Sequence, residues 1–250
     1  MKIVLKRIGA YLIDIILVSL VATIISSNSY INKDYKKYNE VYDEYDSKYE
    51  EYSDYYIDLE KYYEDKKISD KEYKKLTKIN ETYTKDLINY YEDEKIDEEE
   101  YKSIIENLDL EYSNLETNYS YRLLKYSTIP TIVNLMCVLL YFVVFQFCFD
   151  GRTLGKKIMK LKVVSSNTKK LNILNYLIRS LIVNEVFINL INLLCLMIFS
   201  KNNYISYSKI IYVITYILEM TILFMIVFDK NNRGLHDYIS NTKVIEDKKE

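Results

Sequence analysis

The chemistry in this chain is concentrated in a few ionisable side chains set inside or beside strongly apolar stretches. Arg7 and Asp14 lie seven positions apart near the amino terminus, Arg179, Glu185 and Glu219 interrupt later apolar runs, and His236 and Asp237 are adjacent near the carboxyl end. Seven positions are two helical turns, which puts Arg7 and Asp14 on one helix face with Asp14 about 10 Å deeper. A carboxylate in hydrocarbon is costly unless it is paired or faces a polar interior, and such groups mark ion and proton pathways. The expected partner of Asp14 is Arg7 itself or Arg179. Glu185 and Glu219 have no basic residue at comparable depth. His236, the chain's single histidine, is the one side chain that titrates near neutrality unperturbed. Beside Asp237 it could relay protons with Asp14 or Arg7; the plainer alternative is that His236 and Asp237 cap and pair locally to hold the tail.

Three of the four glycines fall in two short basic motifs, Asp150-Gly-Arg-Thr-Leu-Gly-Lys-Lys and Asp229-Lys-Asn-Asn-Arg-Gly-Leu-His-Asp. A phosphate-binding loop needs four residues between its glycines and Ser or Thr after the lysine; Gly151 and Gly155 enclose three, and Lys156 is followed by Lys157. The expectation is instead a tight turn at the headgroup level, with Arg152, Lys156 and Lys157 touching anionic lipid and Arg233 and Gly234 in the equivalent place at the tail. After the first motif, residues 158–164 alternate apolar and basic, and residues 241–245 are also β-prone. The two segments are expected to pair as a small ribbon that brings His236 and Asp237 close to Arg152 and Lys156.

The elements that carry these residues are four apolar segments, roughly 8–25, 129–149, 173–199 and 205–228. Each approaches the ~20 residues that cross a bilayer as a helix. The expected fold is an all-α membrane protein of four continuous transmembrane helices with a small β-ribbon. Its parts are a first helix over 1–29, an outer domain over 30–127, and three further helices over 128–250 with a loop at 150–172 and a tail at 229–250. The short flanks at the amino terminus, in the loop and in the tail are basic, so the positive-inside rule places these flanks and both termini in the cytoplasm. Asp14 within the first apolar run favours an uncleaved anchor over a secretory signal. Cys137, Cys148 and Cys195 all fall in apolar segments, which points to neither a disulfide framework nor a thiolate metal site.

Net charge separates the outer domain from the rest. Residues 30–126 hold 16 Lys and Arg against 27 Asp and Glu, a net of −11, although the whole chain carries only −2. From Ile31 to Tyr63 apolar and aromatic residues recur alternately every three and four positions, mostly as tyrosine, the 3.5-residue period of a coiled-coil seam. A second such run begins at Tyr101. Residues 63–76 and 91–104 repeat one another, with Ser69/Glu72 and Asp97/Glu100 at capping-box spacing. Three helices follow, at about 31–66, 70–93 and 97–126. They form either a solvated stalk or a surface for a partner or a second copy.

Taken together, the motifs resemble the RDD family of bacterial membrane proteins, named for one arginine and two aspartates. The matching stretches are Lys6-Arg-Ile-Gly-Ala-Tyr-Leu-Ile-Asp, Gly151-Arg-Thr-Leu-Gly-Lys-Lys-Ile-Met-Lys-Leu-Lys-Val-Val, Arg179, and Arg233-Gly-Leu-His-Asp-Tyr-Ile-Ser-Asn-Thr-Lys-Val. The resemblance makes Arg7 and Asp14 the family arginine and first aspartate, and Asp237 the second. It spans residues 1–27 and 128–246. The long helical insertion has no counterpart in it, and Glu185 and Glu219 are outside its motifs. It implies a multi-pass protein of the bacterial plasma membrane, and transport of cations, protons or an unidentified ligand.

Two functions compete on these grounds. One is a transport component in which Asp14, Glu185 and Glu219 carry protons or cations, with self-association because four unbroken helices are few for a complete transporter. The other is a non-catalytic scaffold whose outer arm binds a protein partner or another copy. The sequence offers no Ser/His/Asp set, no metal cluster around its one histidine and no basic, aromatic-interleaved groove for nucleic acid. Enzymatic activity, a cofactor and nucleic-acid binding are therefore not expected; the lipid bilayer is the expected partner.

Overall fold

The computed structural model describes residues 2–65, 98–167 and 170–247. They fall into two compact units, Met1–Tyr35 with Lys125–Glu250 and, separately, Lys36–Leu124.

In the first unit, helix α1 (Lys2–Ser26) buries Val4, Arg7, Ala10, Asp14, Val18 and Ala22. These positions recur every three or four residues and so form one stripe. Leu5, Leu12, Ile16, Leu20 and Ile24 are exposed on the remaining surface, as suits a helix bathed in lipid. The next helix of this unit, α4 (Thr128–Cys148), contains a π-helical stretch over Leu140–Phe145. A π turn inserts one residue and resets which side chains face inward; Phe142, Val143 and Gln146 are the buried ones here. The short α5 (Leu154–Ile158) and strand β1 (Leu161–Ser165) follow.

The third apolar segment departs from the expected single helix. It is two helices, α6 (Ile173–Val183) and α7 (Val186–Ile198), bent by 62°. The bend falls at Asn184 and Glu185, and Glu185 has φ 53°, left-handed backbone that a non-glycine residue rarely adopts. Asn184 turns its amide back to Ser180 Oγ at 2.9 Å, a local bond that competes with continuing the helix. α8 (Lys201–Phe228) is the longest span. Among the described residues three helices are thus long and apolar enough to cross a membrane, or four if the bent pair is one span.

After α8 come the short α9 (Leu235–Ile239) and strand β2 (Thr242–Glu246). The strands pair antiparallel, with Leu161 opposite Glu246, Val163 opposite Val244 and Ser165 opposite Thr242. The expected ribbon is present, displaced by a few residues in its first strand and by one in its second. Its inward face joins Ala10, Val143, Leu161, Val163, Tyr176 and Val244 in one core cluster; Val18, Leu135, Val138, Phe142 and Val186 form another.

The second unit contains α2 (Tyr35–Asp65) and α3 (Glu98–Tyr126), close to the expected first and third outer helices. Its tyrosine seam is used: Tyr45 meets Tyr119 with ring centroids 5.6 Å apart and Tyr49 meets Tyr112 at 5.9 Å. Glu44 and Arg122 pair at 3.3 Å beside them. The expected helix at 70–93 and both repeat turns lie outside the described residues.

Candidate functional site

Asp14 is wholly buried and accepts from three donors. Tyr141 Oη and the Gly155 amide each approach Oδ1 at 2.7 Å, and Thr153 Oγ1 approaches Oδ2 at 2.5 Å. Lys156 Nζ lies 3.8 Å from the same carboxylate. This corrects the expectation that Arg7 or Arg179 pairs with Asp14. The reason is steric as much as electrostatic: α5 presses on α1 so closely that a Cβ on Gly155 would stand 2.1 Å from Ala10 O and 2.9 Å from the Asp14 carboxyl. Gly155 is therefore a close-approach residue within a helix, and Gly151, at φ 81°, is the turn residue.

The arginines converge on Asp237. Arg7 Nη2 donates to Oδ2 at 2.7 Å and Arg179 Nη1 donates to Oδ1. Thr242 Oγ1 and the Gly234 amide complete the shell at 3.1 Å each. α1, α6 and the α9–β2 tail are thereby tied together. Arg7 also donates to the Asn232 carbonyl. His236 Nε2 stands 3.4 Å from Arg7 Nη2 and 3.3 Å from Asp237 Oδ2, so it meets Arg7 and Asp237, with Asp14 bonded elsewhere. Burial first, and then the field of Arg179, pushes the imidazole down to about 4. His236 is therefore neutral near pH 7. Burial works to raise the Asp237 carboxyl, but Arg179 and Arg7 overcome it and hold this group far below the usual carboxylate range.

Lys156 points inward. It is buried, 3.3 Å from Thr153 Oγ1 and 5.6 Å from the Phe142 ring centroid, and burial followed by Arg179 pushes its ammonium down to about 8. This corrects its expected lipid contact. Arg152 is likewise not beside His236 or Asp237: it makes two bonds to the Asp247 carboxylate, at 2.6 and 3.2 Å. Lys157 is exposed. Arg233 stacks its guanidinium 3.8 Å from the Tyr238 ring centroid, and Gly234 caps α9.

Glu185 and Glu219 meet. The α6–α7 break and α8 bring their carboxyl groups close together, with Tyr11 near both. Tyr11 Oη reaches the Val183 carbonyl at 3.4 Å, a backbone acceptor at the helix break.

A cavity of about 370 Å³ connects the two ends of this arrangement. Arg7, Lys156, Arg179 and His236 line one part, Glu185, Glu219 and Tyr11 another, and Val4, Ile8, Leu12, Leu223 and Ile226 supply apolar wall. Tyr141, Thr153, Thr242 and Asn232 also belong to these networks but carried no signal in the sequence. Thr153 could have been noticed as the hydroxyl between the two glycines of the first motif.

The model of the RDD family matches residues 108–241, more than half of the chain; the match takes in both glycine motifs and Arg179, starts within α3, and leaves residues 1–27, with Arg7 and Asp14, outside it. No curated protein and no solved structure matches.

Proposed function

Since the chain belongs to the RDD family of membrane proteins, we propose that it is a transport component of the bacterial plasma membrane that moves protons or cations, or a ligand coupled to them. It acts without enzymatic chemistry or a cofactor, and both termini and the two glycine motifs face the cytoplasm, as their basic flanks favour.

The observation that carries this reading is the carboxyl pair of Glu185 and Glu219 at the break in the third span, open to the cavity. Glu219 is nine residues from the end of α8, about 14 Å deep at 1.5 Å per residue. That is near the middle of ~30 Å of hydrocarbon, where an acid is expensive and broken helices form ion sites in transporters. Asp14 has a different role: its donors hold it as a structural anchor, so the mobile proton belongs to the glutamates. Proteoliposomes under imposed H+, Na+ or K+ gradients test the reading. Flux above that of empty vesicles for at least one ion supports it, and its absence for all three contradicts it.

A second reading, a scaffold whose outer arm binds a protein or another copy as a coiled coil, is favoured by the separate compactness of the second unit and its paired tyrosines. Deleting residues 36–124 separates the two: transport survives the loss and scaffolding does not.

A further inference from the structure

α8 is sparsely covered by the other described residues. Of its 28 residues only Tyr204 is buried, whereas α1 buries a stripe along most of its length. Lys209, Tyr212, Tyr216, Glu219 and Leu223 are all exposed, Tyr212 at 74% and Tyr216 at 53%. They stand alternately three and four positions apart and so share one face of the helix. Glu219 and Leu223 also line the cavity, together with Ile8 and Leu12 of α1, themselves exposed. The cavity therefore opens sideways between α1 and α8.

Lipid answers this face poorly. Ionisable side chains within spans almost always face a bundle interior or a water-filled cavity, and hydrocarbon offers no hydrogen-bond partner to the Glu219 carboxyl. Tyr216 is twelve residues from the end of α8, about 18 Å at 1.5 Å per residue and near the middle of ~30 Å of hydrocarbon. Its hydroxyl has no hydrogen-bond partner among the described residues. We propose that a second copy of the chain covers this face, α8 against α8 about a two-fold axis along the membrane normal, and that the partner's Tyr216 donates to Glu219. Two copies in the same orientation hold these residues at matching depths, and donor and acceptor lie one turn apart on one stripe. Each copy supplies both, so a single self-complementary interface satisfies the two. Hydroxyl and carboxyl groups join helices in lipid through such bonds. Lys209, at the outer end of the stripe, keeps its ammonium at the surface on its long stem. The partner helix closes the sideways opening, so the acid pair is complete only in the dimer. The inference rests on the transport reading only in that the completed site is the one assigned to the transported ion; the contact between copies stands on geometry.

Association is measured without an ion gradient, so the result is independent of whether the chain transports. The full chain, with Cys137, Cys148 and Cys195 replaced by alanine, receives one new cysteine and is oxidised with copper phenanthroline in phosphatidylcholine vesicles. Tyr212→Cys and Leu223→Cys should each give disulfide-linked dimers, which form between like positions only when the copies share one orientation. Ile210→Cys and Ile214→Cys, exposed on the opposite face of α8, should stay monomeric. Energy transfer between labelled copies, followed as added lipid dilutes the protein, gives the strength of association. Tyr216→Phe keeps the ring and loses only the hydroxyl; it should weaken association about fivefold. A wild type that is monomeric at every dilution, cross-linking from Ile214→Cys equal to that from Leu223→Cys, or wild-type association in Tyr216→Phe would overturn the proposal.

Discussion

Arg7 and Asp237 are 230 positions apart in sequence and 2.7 Å apart in the structure, both buried, with Arg179 on the second oxygen of the same carboxylate. One aspartate thus holds two spans and the tail. Removing its charge leaves two guanidinium groups facing each other out of water, a loss on the order of 3–5 kcal/mol. Asp237→Asn should accordingly unfold in detergent well below the wild type, and an unshifted unfolding curve would contradict the assignment.

Asp14 is expected to behave as a structural residue. Asn in its place cannot accept from Tyr141, Thr153 and Gly155 together, because its amide nitrogen is a donor; the expected loss is about 1–3 kcal/mol. Tyr141→Phe removes one bond of the set and should cost about 1 kcal/mol. Both variants should keep ion flux per folded molecule, read in vesicles normalised for folded protein. Selective loss of flux in Asp14→Asn would return this residue to the ion path.

The glycines should separate sharply. A Cβ at Gly155 meets the Ala10 carbonyl at 2.1 Å and one at Gly151 meets the Val163 carbonyl at 2.2 Å, the latter with φ 81° as well. Backbone cannot swing aside, so Gly155→Ala and Gly151→Ala should each destabilise by about 3 kcal/mol or more. At Gly9 the nearest atom is the Met159 methyl at 3.0 Å, the end of a flexible side chain; Gly9→Ala should stay within about 1 kcal/mol. Unfolding midpoints of the three variants provide the check.

Acid should weaken the fold through His236. Its native pKa, about 4, lies below the ordinary 6.5, with burial the main cause. The unfolded chain therefore binds a proton that the native state refuses. Stability is complete above pH 6.5 and falls as pH drops towards 4, by up to about 3 kcal/mol. Asp237, held ionised by its arginines, adds a smaller loss in the same direction only below about pH 5, where the unfolded carboxylate begins to take up a proton. The difference between wild type and His236→Gln at pH 7.5 and 4.5 isolates the effect; parallel profiles would refute it.

The spans, the ribbon and the residues of the polar networks were largely legible, because long uncharged runs, strand-like alternation and charges misplaced in apolar context each leave a sequence signal. Pairing was not. Seven-residue spacing correctly set Arg7 and Asp14 on one face, yet whether they meet depends on which segment packs against that face, and the contact of Gly155 with Ala10 gives Asp14 to α5. The break at Glu185 was equally hidden, since neither proline nor glycine marks it and the left-handed residue is a glutamate. Its consequence is that Glu185 and Glu219, which share no motif or spacing, come together only through the bend.

The central claim, that these two glutamates hold the transported proton or cation, is tested most directly by ion uptake into proteoliposomes that contain wild type, Glu185→Gln, Glu219→Gln or the double variant at equal insertion. The account predicts at least a tenfold loss of flux in each single variant and little further loss in the double one, because the pair works as one site. Flux in the double variant equal to that of the wild type would contradict it.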